Sequence, residues 1–260
     1  MEMKFVVVGG GSMGKRRIRC LLANNIPPQA IRLVEVRRDR REEVKEKHAI
    51  DSFSDLESAL DWNPSAVIVS VPGAYHMEVL LQAAKAGKHF FCEVPLSINL
   101  DGIEELKKLV YENKLVAAAG CQTLFHPLFK QVKQWLADPE FGKLLNVVEI
   151  CGCYLPDWHP HEDYRQFYAS DQTMGGGNID VILQELNTLH LLTGDRIKKL
   201  SCRGNHISDL EIKGSDCWQI MGMTEQETAV TLQYDLINRA GHHSISFLSE
   251  SGTIELDKGA

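Results

Sequence analysis

The chain predicts an α/β protein, a doubly wound parallel sheet followed by an α+β domain with a mainly antiparallel sheet. Three observations carry this. Short β-branched runs alternate with helical patterns through the first 120 residues. A glycine motif follows the first run directly. Beyond Gly120 the strand patterns succeed one another with period two and few helices between them.

The parallel half reads in order. Strands are expected at Lys4–Val8, Ile31–Glu35, Ala66–Ser70, His89–Cys92 and Val116–Ala119. The clearest helix is Asn99–Asn113, where Leu100, Ile103, Leu106, Leu109 and Val110 recur at three- and four-residue steps and form one apolar stripe. Ser54-Asp-Leu-Glu57 has the spacing of a capping box and opens another helix. Strand–helix–strand alternation of this length implies a parallel sheet covered on both faces.

After Gly120 the expected order is a helix over about Pro127–Leu136, a strand Leu144–Tyr154, a polar-aromatic loop Leu155–Met174 and a helix over about Gly177–Leu192. Val230, Leu232, Tyr234 and Leu236 then alternate with Thr231, Gln233 and Asp235, the pattern of a strand with one buried face. The boundary falls near Gly120, giving domains 1–120 and 121–260.

Composition narrows the function. Apolar residues at 44% and charged residues at 24% are ordinary globular values and exclude disordered, collagenous and coiled-coil chains. A formal net charge of −7 argues against nucleic acid as a general partner, because phosphate binding needs a basic face. No run of eighteen apolar residues spans a bilayer, so no membrane partner is expected. Met1-Glu-Met-Lys runs straight into the first strand, without the apolar core and cleavage site of a signal peptide. Seven scattered cysteines fit reduced thiols in the cytoplasm.

Gly9-Gly10-Gly11-Ser12-Met13-Gly14 fits G-x-G-x-x-G. Gly9 would allow the tight turn, Gly11 the approach of a pyrophosphate and Gly14 close packing of helix on strand. The helix opening near Ser12 and Met13 would offer its free amides to the phosphates. Glu35 ends the second strand 21 residues after Gly14, where a carboxylate can hold ribose hydroxyls. Together these predict a Rossmann domain binding NAD. Arg37, Arg38, Arg40 and Arg41 leave NADP as the alternative, although Glu35 would repel its 2′-phosphate. Lys15 completes the opening of a P-loop, but Arg16 stands where that loop needs Ser or Thr.

The glycine motif, Val69-Ser-Val-Pro-Gly-Ala-Tyr-His76, Ala86-Gly-Lys-His-Phe-Phe-Cys-Glu-Val-Pro-Leu96, Gly120-Cys-Gln-Thr-Leu-Phe-His-Pro127, Phe141-Gly-Lys143 and Gly175-Gly-Gly177 occur in this order. In that order and spacing the chain resembles the Gfo/Idh/MocA family of glucose–fructose oxidoreductase and inositol dehydrogenase relatives. Tyr154-Leu-Pro-Asp-Trp-His-Pro-His-Glu-Asp-Tyr-Arg165 is similar to the substrate loop of members linked to surface-sugar biosynthesis. The resemblance implies hydride transfer between a nicotinamide cofactor and a hydroxyl of a sugar-like substrate. It implies cofactor contacts at Pro72, His76, Glu93 and Pro95, and substrate contacts at Asp157, Trp158, His161, Tyr164 and Arg165. It also implies further sheet and a closing helix, so a chain ending at Ala260 is expected to be either truncated or naturally short.

Two departures from the family pattern matter. The lysine of the usual Glu-Lys-Pro is Val94, which can neither donate a hydrogen bond nor carry charge. The usual histidine on the helix after the glycine run is replaced by Gln184, which is no base near neutral pH. Asp180, four residues earlier on the same face, and His159 are the candidate substitutes in catalysis. Glu185 points elsewhere around the helix and reads as a surface or cap residue, and His190 as a partly buried helix-end histidine. Cys151-Gly-Cys153 reads as two small apolar side chains on one strand face, so no metal is expected. The alternative function is a degenerate relative that binds NAD and a sugar as a sensor or partner subunit. A homo-oligomer is expected, because the period-two strands leave a sheet face to be covered.

Overall fold

A computed structural model describes residues 3–160 and 162–257. The chain divides into two compact units, up to Gly120 and from Cys121 onward.

The first unit runs β1 (Phe5–Val8), α1 (Ser12–Ala23), β2 (Ile31–Val34), α2 (Arg38–His48), β3 (Ser52–Phe53), α3 (Leu56–Asp61), β4 (Ala66–Val69), α4 (His76–Lys85), β5 (His89–Cys92), α5 (Ile103–Glu112) and β6 (Ala117–Ala119). Its six strands are all parallel in the order β3-β2-β1-β4-β5-β6, a doubly wound sheet. One apolar cluster holds Val6, Val8, Val67, Val69, Leu80 and Phe90, and a second holds Val7, Ile18, Ile31, Leu33 and Val44. Successive residues of β1 thus face opposite layers, which explains why its sequence is apolar throughout rather than alternating.

Several expectations are corrected. β3 is only two residues long and carries no period that a sequence window could register. Helix α5 begins at Ile103, not Asn99, behind a left-handed Gly102, and Leu100 is left 86% exposed, outside the stripe. The capping box at Ser54 does not form. Asp55 is the N-cap of α3, its carboxylate accepting the Ser58 amide at 2.8 Å, while the Ser54 hydroxyl turns to Asp55.

The second unit runs α6 (Pro127–Leu136), β7 (Leu144–Tyr154), α7 (Ile179–Thr193), β8 (Ile197–Asn205), β9 (Cys217–Thr224), β10 (Ala229–Asp235), β11 (Ile237–Ser249) and β12 (Thr253–Asp257). The sheet order is β12-β11-β7-β10-β9-β8, antiparallel except where β10 pairs with β7. Val147, Ile220, Val230, Leu232, Ile245 and Phe247 turn inward against Phe129 and Val132 of α6 and Ile182 and Leu189 of α7. Asp235 is buried rather than exposed, since its carboxylate accepts the amides of Ile237 and Asn238 and turns the chain. Short 3-10 turns at Leu155–Asp157, Tyr164–Gln166, Tyr168–Ser170 and Gln172–Met174 accompany a cluster of Leu155, Ala169, Leu210 and Leu236. Helix α7 starts two residues later than Gly177, because Gly175, Gly177 and Asn178 all take positive φ.

Candidate functional sites: a glycine cradle in the first unit and an aspartate in the second

In the first unit the glycine motif is a close-packed turn. Gly9 has φ +100, and a Cβ there would lie 2.5 Å from the Ser70 carbonyl oxygen. Gly14, in the first turn of α1, tolerates no side chain because Gly9 lies beneath it. Gly11 is the N-cap of α1, and Ser12 and Met13 follow as its first helical residues. Their amides have no intrahelical acceptor, as in any first turn. The Ser70 hydroxyl, at the end of β4, is buried without a hydrogen-bond partner.

Glu35 closes this loop. Its carboxylate is buried and accepts the Gly10 amide at 2.8 Å and the Arg37 amide at 2.9 Å, with Arg40 at 3.6 Å. Two amides do not exhaust the roughly four acceptor positions of a carboxylate. The arginines expected to compete for a 2′-phosphate have other partners. Arg37 pairs with Asp39 at 2.6 Å, Arg38 with Glu42 at 2.7 Å, and Arg41 donates to the Glu35 and Val36 carbonyls. The Arg37 guanidinium holds the Asp39 carboxyl down at about 2. Lys15 pairs with Glu43 on α2, which settles it on the neighbouring helix.

The loops after β4 and β5 are tied together. His76 is buried at the start of α4, with Nδ1 2.7 Å from the Pro95 carbonyl oxygen and Nε2 2.7 Å from that of Val71. Pro72 caps the turn Gly73–Tyr75 that leads into α4. Glu93 is held in two hydrogen bonds by Arg17, whose guanidinium lies 4.6 Å from the Phe91 ring centroid. The pair raises the Arg17 pKa, through the Glu93 hydrogen bond first. Glu93, Pro95 and His76 therefore brace these loops.

In the second unit the glycine run decides where the catalytic candidates stand. A Cβ on Gly176 would lie 2.2 Å from the Tyr168 carbonyl oxygen, so the turn Tyr168–Ser170 packs directly on the start of α7. The Gly177 amide donates to the Ala169 carbonyl at 2.8 Å, and Trp218 Nε1 to the Gly177 carbonyl at 2.7 Å. This close approach brings the Tyr168 hydroxyl to Asp180 Oδ2, at 2.8 Å. Asp180 Oδ1 accepts the Val181 amide at 2.9 Å, so the two readings of this residue, helix-end carboxylate and reactive carboxylate, coexist. Burial pushes the Asp180 pKa up, against the lowering effect of the Tyr168 hydroxyl. Gln184 follows one turn later and is half-buried. Asn178 Nδ2, at the helix start, is buried without a partner.

The loop residues form an aromatic ledge. His159 lies edge-on to Phe167 with centroids 4.7 Å apart, and Trp158 edge-on to the same ring at 6.4 Å. Asp157 is exposed, and the Tyr164 hydroxyl accepts the Glu211 amide at 3.2 Å. Arg165 is committed to Asp163 at 2.8 Å and Glu211 at 2.9 Å, which leaves it less available to a substrate than its position suggested. His161 lies outside the described residues. Burial pushes the Cys153 thiol up to about 11, and its sulfur lies 3.9 Å from the Asp235 carbonyl oxygen. His190 is half-buried near the end of α7, its Nδ1 2.8 Å from the Asp195 carbonyl oxygen.

Glu185 is a correction. It is buried at 3% exposure, and its carboxylate lies with Glu149 and His243 in one cluster whose ligand atoms are all within 4.8 Å of each other. Nothing in the local sequence marks this trio, because strand pairing brings Glu149 and His243 together across 94 positions.

Residues 3–121 match the family model described as an oxidoreductase family with an NAD-binding Rossmann fold. The chain is 27% identical over 208 residues to myo-inositol 2-dehydrogenase of Thermotoga maritima, covering 78% of this chain and 60% of that protein. It is 26% identical to levoglucosan dehydrogenase of Pseudarthrobacter phenanthrenivorans, covering 73% and 50%. The chain thus spans between half and two thirds of these relatives' lengths. Among solved structures it aligns with the WlbA dehydrogenase from Bordetella pertussis, solved with NADH and UDP-GlcNAcA, at a TM-score of 0.89 and 16% identity, covering 100% of this chain and 81% of that one. At that identity the likeness shows the fold.

Proposed function

We propose, from the match of residues 3–121 to the Gfo/Idh/MocA oxidoreductase family model, that the chain is an NAD-dependent oxidoreductase of this kind acting on a hydroxyl of a sugar-like substrate. The observation that carries this reading is the glycine turn closed by a buried Glu35 that already holds the Gly10 amide. The residues fit the cofactor: Gly9 and Gly14 let the turn and α1 pack backbone on backbone, nothing but Arg40 at 3.9 Å lies near the Gly11 Cβ position, and Ser70 offers a buried, unpartnered hydroxyl. Gly11, Ser12 and Met13 would hold the pyrophosphate through amides, and Glu35 the ribose hydroxyls. The arginines around Arg37 are engaged with carboxylates and carbonyls, which supports NAD over NADP. When bound, the nicotinamide supplies a carrier for hydride.

The remaining task is proton handling. Val94 and Gln184 leave it to Asp180, whose burial brings its pKa closer to the working range of a general base. Tyr168 donates to one carboxylate oxygen and holds the group in a single orientation. The Gln184 amide binds hydroxyls without moving a proton. Trp158, His159 and Tyr164 offer ring faces and edges to the apolar sides of a sugar, and Asp157 an acceptor for its hydroxyls. His159 is the second base candidate. Free thiols at all seven cysteines support a reducing, cytoplasmic setting. Among the described residues no helix is long and apolar enough to cross a membrane.

The test is NADH formation against a panel of inositols, aldoses and nucleotide sugars. Asp180→Asn should lower the rate by about 10²- to 10⁴-fold while NAD binding persists. A wild-type chain that binds NAD yet reduces none of it with any of these would sink the enzyme reading and leave a sensor.

A further inference from the structure

We propose that Glu149, Glu185 and His243 form a binding site for one divalent first-row transition-metal ion of the zinc or manganese class. The donors come from three elements: Glu149 from the inward face of β7, His243 from the adjacent β11 and Glu185 from α7. Their ligand atoms lie within 4.8 Å of one another. His243 Nε2 and Glu149 Oε1 are already 2.8 Å apart. That is close to the separation of about 3 Å that two donors adopt on one ion at bond lengths near 2 Å.

Both carboxylates are almost fully buried, at 2% and 3%, against the apolar core that holds Val147, Ile182, Tyr234 and Ile245. Two carboxylates and a neutral imidazole carry a charge of −2 between them, and −1 with the imidazole protonated. A divalent ion brings the trio to zero, and in an apolar surrounding that neutrality is worth most. Nitrogen among the donors selects transition metals over magnesium and calcium, which prefer oxygen alone. The Tyr234 hydroxyl donates to Glu149 Oε2 at 2.9 Å, which fixes the carboxylate and leaves Oε1 to the ion. His243 is one-fifth exposed and gives the entry path. Coordination through Nε2 requires the neutral His243 imidazole to carry its proton on Nδ1, a tautomer change that leaves the ring's charge as counted above.

The site does not depend on the oxidoreductase reading, and its test uses metal alone. The whole chain, stripped with chelator and dialysed, is titrated with Co²⁺ and followed by its visible absorption, and Zn²⁺ retained after dialysis is counted by elemental analysis. One ion per chain is expected, with no competition from Mg²⁺. His243→Ala and Glu185→Gln should each weaken Co²⁺ binding by more than about 100-fold, and Tyr234→Phe by about 10- to 100-fold. His242→Ala, which alters the neighbouring histidine hydrogen-bonded to Ser244, should leave the titration unchanged. Should the stripped wild type take up neither Co²⁺ nor Zn²⁺, or should His243→Ala titrate like wild type, the proposal is overturned. The trio would then be balanced by protons. Circular dichroism of each variant confirms that the fold persists.

Discussion

A Cβ on Gly14 would lie 1.7 Å from the carbonyl oxygen of Gly9. The turn and the first helix therefore touch through backbone alone, and no rotamer change relieves a methyl group inserted there. Gly14→Ala should cost at least about 1–3 kcal/mol, the range for overpacking a closed site, and should weaken NAD binding with it. Urea unfolding of the wild type and variant measures the first effect and calorimetry the second. Gly87→Ala is the control for added bulk, since nothing lies within 4 Å of its Cβ position. It carries only the strain of its positive φ.

NAD should bind more tightly than NADP. Glu35 already accepts two amides, and a phosphate beside it would meet a buried negative charge. Glu35→Gln removes that charge and should narrow the preference by about tenfold, since a charged hydrogen bond contributes roughly 1.5–3 kcal/mol. Tighter NADP binding by the wild type would move the assignment to Arg37 and its neighbours.

Two aspartates, Asp180 and the buried Asp216, should respond to pH with opposite signs. Burial raises the Asp180 pKa, so across the window from the ordinary carboxylate value up to the raised one the native state holds more protons than the unfolded chain. Stability from this group is greatest below that window and falls as pH rises through it. Asp216 is the reverse. Burial pushes its carboxyl up, but the hydroxyl and amide of Ser208 and the Ile207 amide outweigh burial and hold it low. Its contribution is present above the ordinary carboxylate value and disappears as pH falls to the lowered one. Asp180→Asn should flatten the first trend and Asp216→Asn the second, the latter costing about 1.5–3 kcal/mol near neutrality. Melting temperatures measured across the acid range distinguish them.

Tyr168→Phe should move the acid limb of the rate profile to higher pH. The hydroxyl is the largest group lowering the Asp180 pKa, so its loss leaves the carboxyl protonated over a wider range. At alkaline pH the variant should recover most of its rate. An unchanged profile would show that Asp180 is not the base and turn attention to His159.

These residues were legible in the sequence to different degrees. The strand–glycine–helix–acid order placed Gly9, Gly14 and Glu35 because that signal is local and each part has its own physical reason. Asp180 and Gln184 were placed on one helix face by spacing alone. Tyr168 was not found as the partner of Asp180, since only the left-handed glycines of the run bring its turn onto the helix. Glu185 was misread for a related reason. Its direction around the helix was right, but which side faced the sheet depended on strands tens of residues away. Asp55 displaced Ser54 as a cap because both are good caps one position apart.

The chain should self-associate through the outer face of the second sheet. Inward residues Val147, Ile220 and Leu232 are buried, and their strand neighbours point the other way. On that outer face Met221 sits opposite Thr231 and Ser201, Ile150 opposite Gln233 and Ser244, and Leu248 opposite Asn146. Met221 is 63% exposed, Leu248 42% and Ile150 37%, large apolar side chains set among uncharged polar neighbours. A second copy of the chain, related by a two-fold axis, would cover these exposed apolar side chains. Light scattering at micromolar concentration should give at least a dimer. Met221→Glu places two like charges face to face near such an axis and should shift the mass to monomer without loss of thermal stability at low concentration. A wild type that is monomeric under these conditions would leave the sheet face open in solution.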